Sequence, residues 1–179
     1  GANSLLSAIY GGMVAGPNAV KYIEGLEKSS DAMPSSLFDS YQKHEEEKWE
    51  EILKMDGTEN AYLIHKELGE WMTDNVTVVR YNDRLLKTDE KLQELLERWK
   101  NININDTAKW SNQGATFTRQ LYNMLQLARV ITLGAYHRDE SRGAHYKPEF
   151  PERNDEEWLK TTMAKFGGPD EAPHFHYED

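Results

Sequence analysis

The sequence predicts a mostly α protein: an antiparallel helical bundle, preceded by a glycine-rich leading helix and followed by an irregular, extended tail. Three observations carry this. Apolar residues recur at helical spacing through most of the 179 residues. Capping and helix-stop residues punctuate that pattern. After Arg138 the periodicity gives way to prolines and glycines.

The elements follow in order. Leu5, Leu6, Ile9, Tyr10, Met13 and Val14 form an apolar stripe that a first helix would bury. Gly11, Gly12 and Gly16 interrupt it, each costing roughly 1 kcal/mol against alanine, so close packing on another backbone is expected. Pro17 predicts a kink or break. Lys28 to Pro34 reads as a loop. A second helix is expected over residues 36–55, with Phe38, Tyr41, Ile52 and Leu53 inward and a glutamate-rich outer face. Asp56-Gly57 ends it, and Thr58 is the expected cap of a third helix bearing Ile64, Leu68, Trp71 and Met72. The β-prone run Val76 to Tyr81 reads as a strand-like connector or a helix start. Thr88 is the expected cap of a fourth helix burying Leu92, Leu95, Leu96 and Trp99. Asn101 to Asp106 is a turn. A long last helix over 116–138 should bury Phe117, Leu121, Met124, Leu125, Ala128 and Ile131.

Composition narrows function by exclusion. A net charge of −10 argues against nucleic acid or an anionic membrane surface as a partner. The chain has no cysteine, so it contributes no disulfide, thiolate metal site or iron–sulfur ligand. No apolar stretch is long enough to span a bilayer, and nothing reads as a leader peptide. There is no HExxH, phosphate loop or GxGxxG. His174-x-His176 reads as a solvated end rather than a metal site. These residues alone describe a helical domain of unspecified role.

Two local sequences say more. The first is Gly1-Ala2-Asn3-Ser4-Leu5-Leu6. The second is Arg138-Asp139-Glu140-Ser141-Arg142-Gly143-Ala144-His145, followed by Tyr146-Lys147-Pro148-Glu149-Phe150-Pro151-Glu152-Arg153-Asn154-Asp155 and Trp158. Together, in this order and with a helical bundle between them, they resemble succinate dehydrogenase and fumarate reductase flavoproteins over essentially the whole chain. The lead helix Ser7 to Pro17 is most similar to the succinate dehydrogenases of Bacillus-like Gram-positive bacteria. It departs from the Phe-Gly-Arg version of other members, so that arginine is not carried over.

The resemblance implies a division: residues 1–33 as the end of the FAD-binding domain, 34–139 as the C-terminal helical bundle, and 140–179 as the tail. It implies that Ser4 and Leu5 contact FAD, that the Ala2 backbone N–H meets a substrate carboxylate, and that Asn3, Arg142 and His145 support the site. The Gly-Ala turn suits close approach of backbone to cofactor, and unpaired N–H groups at a helix start favour negative charge. No catalytic residue is expected within this chain, and FAD is expected only in the full-length protein. For that protein the family implies succinate oxidation to fumarate, with electrons passing to an iron–sulfur subunit and a membrane cytochrome b subunit that serves quinone. Its expected place is peripheral, on the cytoplasmic face of the bacterial membrane. Fumarate reductase, L-aspartate oxidase and a non-catalytic helical docking module are the alternatives.

Overall fold

A computed structural model of the chain describes residues 4–178. The chain divides into two compact units, residues 1–46 and residues 47–179.

The first unit holds helix α1 (Ser4–Glu24), a 3-10 turn (Ser30–Ala32) and the first part of α2 (Ser35–Leu53). Every described residue from 4 to 44 is exposed. The stripe expected to be buried in α1 is therefore open, with Leu5, Ile9, Tyr10 and Met13 all more than 60% exposed. Phe38 and Tyr41, expected inward, are exposed as well. Both faces show helical periodicity, but no surface within this unit is present to cover them. Nor does Pro17 break α1; the helix runs through it. On an exposed helix, water can hydrate the carbonyl that proline leaves without a donor.

The second unit carries the core. It is built on α3 (Ala61–Val76), α4 (Asn82–Trp99) and α5 (Gln113–His137), each of which contacts the other two. Ile64, Leu68, Leu92, Leu95, Leu96, Leu121 and Leu125 form its centre, with Ile102 beside them. Full burial of one such side chain stabilises by about 1.5–3 kcal/mol. Ile52 and Leu53 at the end of α2 pack with Ala115 in a smaller cluster. Two backbone segments cross between helices: Ile104 N–H donates to Met55 O (2.9 Å) and Glu59 N–H to Asn101 O (2.9 Å). A Cβ at Gly57 would fall 2.0 Å from Asn101 O, so this crossing requires glycine.

Helix starts differ from the expected caps. Asn60, not Thr58, caps α3 by accepting from Tyr62 N–H. Asn112 caps α5 through Ala115 N–H. Thr88 caps nothing: α4 begins six residues earlier at Asn82, and Thr88 is buried mid-helix with its hydroxyl donating to Arg84 O. Asp89, next to it, is likewise buried. It forms a two-pronged pair with Arg129 of α5, Nε to Oδ1 at 2.8 Å and Nη2 to Oδ2 at 3.2 Å. Ile131, expected inward, is 51% exposed. Arg129 and Thr132 take the buried positions around it.

Past α5 the tail is less irregular than expected. It contains a short helix α6 (Asp155–Trp158) and a two-stranded antiparallel hairpin, β1 (Thr161–Lys165) and β2 (His174–Glu178), with Met163 opposite His176. Phe175 of β2 lies against Gly134 and the ring of His137, fastening the hairpin to α5. Among the described residues, no helix is long and apolar enough to cross a membrane.

Candidate functional site

The two motifs fall in different units. Ala2 and Asn3 lie outside the described residues. Ser4 and Leu5 open α1, whose first turn carries no acidic side chain. Leu5 is 79% exposed. A helix start without carboxylates carries no negative side chain of its own to repel an anionic group.

Arg142 and His145 are brought together in the second unit, on a turn closed by Arg142 N–H to His145 O (2.7 Å) and His145 N–H to Arg142 O (3.0 Å). Gly143 inside that turn has φ of 59°, a left-handed conformation that glycine adopts without strain. Around this turn the sequence folds into a network of charges, two of them, Glu140 and Lys147, fully buried.

Glu140 is at its centre, with its side chain fully buried. Its carboxylate accepts from Arg138 Nη1, from Arg142 Nε (2.8 Å) and Nη2 (3.1 Å), and from Asn154 N–H (3.0 Å). Burial pushes the carboxyl up, but the Arg142, Asn154 and Arg138 donors outweigh it and hold it below its ordinary value. Arg138 also reaches Trp158 O (2.9 Å) and Lys160 O (2.7 Å), tying α6 and the strand entry to the end of α5. Asp155 bridges Arg153 and Arg142, which together hold it down to about 2.

Lys147 is fully buried and spends all three ammonium donors, on Tyr136 O (2.7 Å), Arg138 O (3.2 Å) and Asp139 Oδ1 (2.8 Å). Those carbonyls belong to the end of α5, where peptide groups lack partners and the dipole favours a cation. His145 links the turn to the connector between α3 and α4. Its Nδ1 stands 2.6 Å from Arg80 Nη1, which can only donate, so Nδ1 is the acceptor. Its Nε2 therefore carries the proton, donated to Arg138 O at 3.0 Å. Burial lowers the imidazole pKa; the Arg138 carbonyl opposes this, and the nearby Arg80, Lys147 and Arg138 charges lower it further. A parallel bridge between Val79 and Tyr146 completes the join, so within the 76–81 run Val76 ends α3 and residues 77–81 form a strand-like connector.

Sequence reasoning singled out Arg142 and His145 but missed Arg80, Glu140, Lys147 and Asp155 as their partners. Glu140 and Lys147 both stand inside the quoted motif. Arg80 carried no signal, because its partner lies 65 positions away. His174 and His176 sit on β2 facing Glu171 and Glu178, each at 3.6 Å. No group of three or more potential metal ligands occurs among the described residues.

Residues 65–179 match the family model described as the fumarate reductase flavoprotein C-terminal region. The chain belongs to that family. It is 77% identical over 179 residues to the succinate dehydrogenase flavoprotein subunit of Bacillus subtilis, covering 100% of this chain and 30% of that protein. It is 33% identical over 183 residues to the fumarate reductase flavoprotein subunit of Proteus vulgaris, covering 100% of this chain and 29% of the relative. The fold resembles FrdA of E. coli quinol fumarate reductase with a TM-score of 0.76 and 31% identity, over 82% of this chain and 25% of that one. The chain thus spans about 30% of the length of the curated relatives it matches.

Proposed function

We propose that this chain is the carboxyl-terminal part of a succinate dehydrogenase flavoprotein subunit. The observation that carries the reading is 77% identity along the whole chain to the Bacillus subtilis subunit, against 33% to a fumarate reductase subunit. In this reading the full-length protein oxidises succinate to fumarate. It passes electrons to an iron–sulfur subunit and a membrane cytochrome b subunit, and it sits peripherally on the cytoplasmic face of the membrane.

FAD, held largely by the upstream chain, supplies the hydride acceptor. This chain's own residues then have positioning roles. Ser4 and Leu5 bring the start of α1 against the cofactor, and the Ala2 N–H, with Asn3 beside it, holds a substrate carboxylate. The carboxylate-free first turn of α1 supports this, since a helix start favours nearby negative charge. Arg142 and His145 act at a distance by keeping the tail fixed on the bundle. In this reading residues 1–33 end the flavin domain, residues 34–139 form the C-terminal bundle and residues 140–179 the tail.

The test compares the full-length protein with the 179-residue chain. Succinate-dependent reduction of an artificial acceptor is expected from the former, and neither activity nor retained flavin from the latter. A full-length protein that oxidises L-aspartate instead of succinate would contradict the proposal, as would a yellow preparation of the chain alone.

A further inference from the structure

We propose that the pocket beside the Arg142–His145 turn is a binding site for a small oxyanion, a carboxylate or a phosphate. The inference is independent of the reading above.

The pocket has a volume of about 350 Å³ and is lined by Arg138, Arg142, His145, Trp158, Lys160 and backbone neighbours of the α6–β1 link. Three of these side chains are cations, and no carboxylate lines the pocket among the described residues. That is a local inversion in a chain of net charge −10. Glu140 lies behind the arginines, bound to them and fully buried, so it offers nothing to an incoming ligand.

Two donor groups remain unused. Arg142 commits Nε and Nη2 to Glu140 and Asp155, whereas its Nη1 makes no hydrogen bond among the described residues. Lys160 has no carboxylate partner there either. Its Nζ lies 5.1 Å from the Trp158 ring centroid and 4.7 Å from that of Tyr177. The neighbouring cations Arg153 and Lys147 are each paired with an aspartate, which sets Lys160 apart. A planar guanidinium edge and a point-charge ammonium on residues that line one partly apolar space form a fitting receptor for an oxyanion. The aromatic faces hold the ammonium meanwhile without neutralising it.

The experiment follows the indole and backbone amide resonances of the 179-residue chain while sodium acetate, disodium succinate or sodium phosphate is added. Sodium chloride at matched ionic strength is the control. Saturable shifts centred on Trp158 and residues 159–161 are expected with at least one oxyanion, and the order of affinities identifies the carboxylate or phosphate source. Lys160→Met keeps the stem on the two rings and removes the charge, so it should weaken that binding about tenfold or more. Shifts that never saturate, or that chloride reproduces equally, would overturn the proposal. So would a Lys160→Met chain that folds normally and binds unchanged.

Discussion

Helix α1 and the tail from Arg138 to Asp155 are opposites. The helix is regular, rich in apolar residues and exposed along its whole described length. The tail is irregular and highly charged, yet it buries Glu140 and Lys147 completely. Helical periodicity thus says which face could be covered, not that the covering surface is present. Order in the tail comes from hydrogen bonding and ion pairing across the fold, which periodicity does not register.

The largest expected effect lies inside the bundle. Asp89→Ala strands the buried Arg129 guanidinium and should cost about 3–5 kcal/mol in denaturant unfolding. Ile9→Ser in the exposed stripe of α1 should change the stability of this chain by less than about 0.5 kcal/mol. If the two substitutions cost the same, the contrast between the regions fails.

Glu140→Gln is next. It removes the charge that gathers Arg138, Arg142 and the Asn154 N–H, and about 3 kcal/mol should be lost. The same network predicts two steps of acid sensitivity. The His145 value in the folded state is below its ordinary 6.5, so the unfolded chain binds more protons there and stability falls as pH drops below about 6.5. Glu140 is also held below its ordinary 4.5, and its contribution is lost as pH falls further, below that value. His145→Gln should abolish the first step and leave the second, as read from unfolding midpoints between pH 7 and 3. Retention of the first step would show that another group titrates.

Much of the architecture was legible. The spacing of Leu92, Leu95 and Leu96, and of Leu121 and Leu125, placed the core faces of α4 and α5 directly. What stayed hidden has a common cause. Thr88 and Asp89 look like a helix start because capping chemistry is local, while the Arg129 that draws Asp89 inward is 40 residues away. Ile131 looks buried by type, but the polar Arg129 and Thr132 hold the inward positions. At the candidate site, Arg142 and His145 were visible through their motif. The Arg80 that fixes the imidazole tautomer was not, since only the fold brings it near.

Among the packed positions, the smallest loss concerns the hairpin. A methyl at Gly134 would stand 3.4 Å from Phe175, an ordinary contact, whereas Gly134→Val must push the ring aside. A loss of about 1–2 kcal/mol is expected, with β1 and β2 amides exchanging faster while α3 and α4 are unaffected. Uniform loss across the bundle would place Phe175 in the core rather than at its edge.

We propose that α1 docks on a surface supplied by the rest of a flavoprotein, whereas the tail is fastened by this chain alone. Amide hydrogen exchange measured on the 179-residue chain and on the full-length protein tests it most directly. Slow exchange is expected at Arg142, His145 and Tyr146 in both, and fast exchange along α1 that becomes slow only in the full-length protein. Equal protection of α1 in the two proteins would contradict it.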